Sequence, residues 1–193
     1  TSIVRVSTNA DSSGAAGNIL LDAADDILID LNAVENSLPP GIFARSRNDT
    51  NQESGHAGTI RIDARNIQIL NDAKVSVSTF GTGNAGHITL TARGDVLIDG
   101  QQNTSQDIAG IYARTGFGSD SQESPTDPAT GNAGIIQIDA QNLRILNGAQ
   151  ISTAVFSRAG GNGGQIALNV SGLVSLVGST EAPSQISAES NSL

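Results

Sequence analysis

The sequence predicts an all-β protein, a right-handed parallel β-helix of about five three-stranded rungs that alternate long and short. Three observations predict it. A phrase opening on glycine is written five times: Gly17-Asn-Ile-Leu-Leu-Asp-Ala23, Gly58-Thr-Ile-Arg-Ile-Asp-Ala64, Gly86-His-Ile-Thr-Leu-Thr-Ala92, Gly134-Ile-Ile-Gln-Ile-Asp-Ala140 and Gly164-Gln-Ile-Ala-Leu-Asn-Val170. Self-similarity at such a period marks a solenoid, propeller or array, whose units bury their apolar faces against neighbouring units. Within a copy the apolar residues fall at every second position, as in Ile60, Ile62 and Ala64, then Ile67 and Ile69, then Val75 and Val77. That is the period of a strand, and no segment between carries helical spacing.

Each copy therefore holds three short strands separated by turns. The turns after the second strand, at Asn71-Asp72 and Asn147-Gly148, use residue types that tolerate left-handed backbone. Three strands without a helix exclude leucine-rich and ankyrin repeats, and the short copies are too brief for a four-stranded propeller blade of about 40 to 45 residues. Left-handed β-helices use hexapeptide-type repeats, shorter and more regular than these, and crossovers between parallel strands are generally right-handed. Successive copies start 41, 28, 48 and 30 residues apart. The chain is thus a single β-helix segment over residues 1–193: a partial rung at 1–16, long rungs at 17–57 and 86–133, short rungs at 58–85 and 134–163, and a final rung at 164–193.

The long rungs carry inserts at two corners, Leu31 to Pro40 and Gly100 to Gly110 after the second strand, and Arg47 to Ser54 and Gly116 to Thr130 after the third. Inserts in repeat proteins map to loops on one edge, often the functional one. Rungs stacked at about 4.8 Å would decorate that edge every ~9.6 Å. Inward residues should form ladders, Ile19, Ile60, Ile88, Ile136 and Ile166 in one and Ala23, Ala64, Ala92 and Ala140 in another. Val4 and Val6 near the start, and Ile186 and Ala188 near the end, match third strands. With no capping element beyond them, both ends are expected to be open edges, those of a segment of a longer rod or of a subunit that stacks head-to-tail on itself.

Composition narrows the function classes. Only 3% of residues are aromatic while 37% are apolar, so the core must be a narrow one of Ile, Leu, Val and Ala. Net charge is −9 with ten Lys plus Arg and no basic run, which argues against nucleic acid as a partner. The absence of cysteine excludes disulfides and thiolate metal sites. No apolar stretch approaches the roughly 20 residues of a transmembrane helix.

Several motifs invite chemistry. Gly81-Thr-Gly-Asn-Ala-Gly86 fits a dinucleotide fingerprint, but a strand follows where that pattern needs a helix N-terminus, so no cofactor is expected. Arg93-Gly94-Asp95, at the corner between first and second strands, is a tripeptide that adhesins present on exposed turns, and it is a candidate contact. Asp22 and Asp63 share the outward position before the small residue that ends the first strand, on adjacent rungs. Carboxylates about 4.8 Å apart can share a proton or a cation, and Arg61 stands beside them, a constellation a glycan-cleaving enzyme could use. A solvated polar face explains the same residues. His56 and His87 occupy different repeat positions and do not form a two-histidine metal ligand pair. Asp120, Glu123 and Asp127 in the long insert lack the repeat that places calcium ligands, and no metal site is assigned. Phe43 and Tyr112 each follow the inward Ile of a long rung's third strand, so both rings should point outward and mark a contact face.

The segment Gly131-Asn-Ala-Gly-Ile-Ile-Gln-Ile-Asp-Ala-Gln-Asn-Leu-Arg-Ile-Leu-Asn-Gly-Ala-Gln-Ile-Ser-Thr153 resembles the repeats of filamentous-haemagglutinin-like exoproteins of the two-partner secretion type. The likeness extends over essentially the whole chain and is best at residues 55–92 and 131–170. It implies a right-handed β-helical stalk, export through an outer-membrane partner, an extracellular or bacterial cell-surface location, and adhesion to a surface glycan or protein receptor or assembly into a fibre. The family's N-terminal secretion domain is not among these residues. The leading expectation is a non-enzymatic adhesive or structural rod; the rival is a carbohydrate-active β-helix, lyase or hydrolase, working through Asp22, Asp63 and Arg61.

Overall fold

The computed structural model describes residues 3–7, 14–30, 41–46, 55–100, 108–116, 130–156 and 160–191, with backbone alone for 3–7 and Asn191. Most of the four inserts, with Asp120, Glu123 and Asp127, lies outside the described residues. Those residues form only β-strands and turns, and every strand pairing among them is parallel.

The chain visits three sheets in rotation. The first contains β2 (Ile19–Asp22), β5 (Thr59–Ala64), β8 (His87–Ala92), β12 (Ile135–Ala140) and β15 (Gln165–Val170), hydrogen-bonded in that order. The second contains β3 (Ile27–Asp30), β6 (Ile67–Leu70), β9 (Asp95–Asp99), β13 (Asn142–Leu146) and β16 (Val174–Val177). The third runs β1 (Ile3–Ser7), β4 (Gly41–Arg45), β7 (Lys74–Ser76), β10 (Gly110–Tyr112), β14 (Gln150–Phe156) and β17 (Gln185–Asn191), with β11 (Thr115–Gly116) also beside β14. Each strand thus pairs with its equivalents in the neighbouring copies, an arrangement compatible with a parallel β-helix.

Register follows the repeat residue for residue. Ile19, Ile60, Ile88, Ile136 and Ile166 are successive partners. The alternation of side chains across a pleated strand sends this row inward with Ile62, Leu90 and Ile138, and in the middle copies these side chains have no exposed surface or almost none. Rows from the second and third sheets, such as Ile67, Val96 and Leu143, and Val75, Ile111 and Ile151, complete one apolar core. Fully burying such a side chain stabilises the fold by roughly 1.5–3 kcal/mol. Val4 pairs with Ile42 and Ile186 with Ile151, so the first and last segments belong to the third sheet as their pattern predicts.

Glycine opens every copy for a steric reason. The row Gly17, Gly58, Gly86, Gly134 and Gly164 runs so tightly that a Cβ on any of the last four would fall on the carbonyl oxygen of the glycine before it. The turns after the second strand have φ of 53° and 61° at Asn71 and Asp72, and 52° and 85° at Asn147 and Gly148, the left-handed conformation expected there.

Polar ladders fix the corners. Between the first and second sheets Asn66 Nδ2 donates to Asp26 Oδ1 at 2.9 Å, and Asn142 Nδ2 donates to Asp95 Oδ1 at 2.8 Å. Asn66 Oδ1 accepts the Asp95 N–H, and Asn142 Oδ1 that of Leu173. After the second sheet Asn71 Nδ2 donates to Asp30 Oδ1 at 2.7 Å, and Asn147 Nδ2 to Asp99 Oδ1 at 2.8 Å. Long copies supply Asp and short copies Asn at both corners, so each carboxylate meets an amide donor and never another carboxylate.

Candidate functional site

The residues singled out in the sequence fall in three places. On the outer face of the first sheet Asp22 is the register partner of Asp63. Arg61 grips Asp63 through Nε to Oδ2 at 2.6 Å and Nη2 to Oδ1 at 3.2 Å. That bond holds the Asp63 carboxyl below the usual carboxylate range against the opposing effect of desolvation, with smaller help from Thr91, Arg61's charge and Arg93. Asp63 is therefore a stable anion in an exposed ion pair, a poor start for proton donation. Further along the row Asp139 accepts from Gln137 Nε2 at 2.9 Å and Asn169 Nδ2 at 2.7 Å.

Arg93, Gly94 and Asp95 lie in a corner ladder. Arg93 Nη2 donates to the Ala24 carbonyl at 2.6 Å, Gly94 N–H to the Arg65 carbonyl at 2.8 Å, and Asp95 is held by Asn66 and Asn142. A Cβ on Gly94 would strike the Asn66 side chain, which accounts for the glycine without a receptor. His56 also serves a ladder: its Nδ1 accepts the Asn84 N–H at 3.0 Å, as Asn84 accepts from Asn132 and Asn132 from Asn162. Among the described residues no group of three or more His, Asp or Glu is placed to hold a metal ion, and no helix is long and apolar enough to cross a membrane.

The third place corrects an expectation. Phe43 and Tyr112 do stand on the side of the third sheet away from the core cluster, but they are not exposed: Phe43 is 0% and Tyr112 4% accessible. Strand alternation tells which face a side chain takes; it does not tell whether that face is covered. Ser76, Ser78, Lys74 and Ser152 on the same face are buried too.

Each ring carries a guanidinium. The Arg45 guanidinium carbon sits 4.0 Å from the Phe43 ring centre, and that of Arg114 3.9 Å from the Tyr112 ring and 5.4 Å from Phe156. Lys74 Nζ lies 5.9 Å from the Tyr112 ring. These are cation–π distances. Tyr112 is anchored by its hydroxyl, which donates to the Ile108 carbonyl at 2.8 Å. Arg114 reaches Ser152 Oγ from Nε at 3.3 Å and Gln150 Oε1 from Nη2 at 3.4 Å, while Ser76 and Ser78 share a hydroxyl bond of 2.8 Å.

Arg45, Lys74, Tyr112 and Arg114, with the Ser76–Ser78 pair, line a small cleft that opens to solvent. Buried Tyr112, Lys74 and the serine pair form its interior; half-buried Arg45, Phe80 and Arg114 complete the lining. Arg45, Lys74 and Arg114 come from three successive copies. They place three of the chain's ten basic residues around one cleft of a protein with net charge −9. Sequence reasoning missed Arg45, Lys74, Ser76, Ser78, Phe80 and Arg114. A signal was there: Gly41-Ile-Phe-Ala-Arg-Ser46 and Gly110-Ile-Tyr-Ala-Arg-Thr115 repeat one pattern on the two long copies.

No family model matches this chain, and neither the curated proteins nor the solved structures include a significant match to it.

Proposed function

We propose that this chain is a non-enzymatic rod segment of a secreted or cell-surface exoprotein, a right-handed parallel β-helix that serves attachment or builds an extracellular fibre. The observation that carries the reading is the pairing pattern: each sheet grows by one strand per copy, always in parallel and in the register of the repeat. Such a stack lengthens without closing and presents the same faces at regular intervals, which suits a spacer or a multivalent adhesive surface. The resemblance of the 131–153 phrase to filamentous-haemagglutinin-like repeats supports the same reading and, with it, export by two-partner secretion.

Head-to-tail association is part of the proposal. The parallel register in which each sheet adds a strand per copy would continue unchanged into a second copy. Two measurements test the reading. Attachment of the purified segment to host or abiotic surfaces, with electron microscopy at rising concentration, is expected to show adhesion or fibres; a monomer inert toward every surface overturns it. A glycan-depolymerisation screen of the native chain and Asp63→Asn is expected to show no cleavage, and turnover lost in the variant would establish the enzymatic rival instead.

A further inference from the structure

We infer that Asn162 is a site of spontaneous covalent modification, losing its side-chain amide to attack by the backbone nitrogen of Gly163, while the fold protects Asn147 from the same chemistry. Asn147-Gly148 and Asn162-Gly163 are the two Asn-Gly pairs of the chain. Glycine has no Cβ to hinder the approach of its nitrogen to the preceding side chain. Both pairs are therefore reactive in an unfolded chain, and the fold decides between them.

At Asn147 both reacting groups are engaged. Its Nδ2 donates to Asp99 Oδ1 at 2.8 Å, and the N–H of buried Gly148 donates to Ser184 Oγ at 3.2 Å. At Asn162 the backbone is held but the reacting groups are not. Its N–H donates to Asn132 Oδ1 at 2.8 Å and its carbonyl accepts from Ala133, yet among the described residues no hydrogen bond involves its side chain or the Gly163 N–H, and both residues are exposed. The equivalent side chains of earlier copies differ: Asn84 and Asn132 each accept an N–H from the next copy, and alanine follows each of them.

The step is an intramolecular acyl transfer. The Gly163 nitrogen gives its proton to solvent base and attacks the Asn162 side-chain carbonyl carbon; the new C–N bond closes a succinimide ring, and the bond to Nδ2 breaks, releasing ammonia. Water then opens the ring at either carbonyl, leaving aspartate or, where the main chain now runs through the former side chain, isoaspartate. The consequence differs between the two sites. Aspartate at 147 would set a carboxylate against Asp99 in place of a donor, whereas at 162 no bond of the corner ladders is lost and the exposed turn gains one negative charge.

The experiment incubates the native chain and the urea-unfolded chain in warm, mildly alkaline buffer and follows both sites by peptide mapping and mass spectrometry, each site scored against its own rate in urea. Asn147 is expected to slow by about tenfold or more on folding, since it must await local opening, while Asn162 keeps most of its unfolded rate. A Cβ at Gly163 would come no closer than 3.4 Å to its neighbours, so Gly163→Ala fits the fold and should suppress conversion at Asn162. Equal slowing at the two sites, stronger slowing at Asn162, no conversion at Asn162 in the native chain, or an undiminished rate in Gly163→Ala overturns the inference. Should Gly163→Ala fail to fold, the comparison of native with unfolded chain decides alone.

Discussion

The side-chain amide of Asn142 donates to Asp95 Oδ1 at 2.8 Å across two copies of the repeat, while its oxygen takes the N–H of Leu173 on the copy beyond. One side chain thus joins three copies at a corner. Asn142→Asp would replace the donor by a second carboxylate facing Asp95. Loss of a charge-assisted bond together with like-charge repulsion is expected to cost about 1.5–3 kcal/mol at neutral pH. Thermal unfolding at neutral pH measures it; an unchanged melting temperature would show that the ladder contributes nothing.

The alternation of Asp and Asn gives the stack a parity. Removing residues 58–85 would bring Asp26 against Asp95 and Asp30 against Asp99. Removing 58–133 instead would set Asp26 beside Asn142 and Asp30 beside Asn147, the pairing already used. The shorter deletion is therefore expected to be the more damaging, although it discards less core. Circular dichroism and soluble yield of the two deletions test this, and the reverse order would mean that core length outweighs corner chemistry.

Acid should act on the Arg61–Asp63 and Arg65–Asp26 pairs. Both carboxyls are held below their ordinary range, first of all by the arginine bond. Their contribution to stability is then fully present above the unfolded-state value of about 3.9 and fades as pH falls through the lower folded-state value. Asp63→Asn is expected to flatten the stability profile below pH ~4 by a small amount, since the Arg61 side chain is 59% exposed and salt screens such pairs. A steeper acid loss in the variant would reverse the assignment.

Gly86→Ala would drive a methyl group into the Gly58 carbonyl, and overpacking of that kind costs typically about 1–3 kcal/mol or more. At Gly160 an added methyl would meet nothing within 4 Å, but the residue holds φ of +96°, so Gly160→Ala should cost only its backbone strain, about 1 kcal/mol. Comparing the two in urea separates crowding from conformation; equal losses would refute the steric account of the glycine row.

Much of this architecture was legible because a repeat supplies its own alignment. Ile19, Ile60, Ile88, Ile136 and Ile166 occupy matching positions in the five phrases and turn out to be register partners. The corner ladders were less legible, since Asp26 and Asn66 differ chemically and join only once the register is known. The candidate cleft was hardest to see. Period-two alternation predicted outward, exposed rings at Phe43 and Tyr112, but both are buried, because alternation does not say what lies over a face, and Arg45 and Arg114 gain meaning only when stacked on those rings.

Because strands pair only with their counterparts in adjoining copies, the hydrogen bonds of all three sheets point along the direction in which the copies follow one another. Tension applied along that direction would load a few bonds at a time, peeling one copy while the rest stay intact. Such a chain would yield in steps of a whole copy, absorbing a pull gradually instead of parting under it at once.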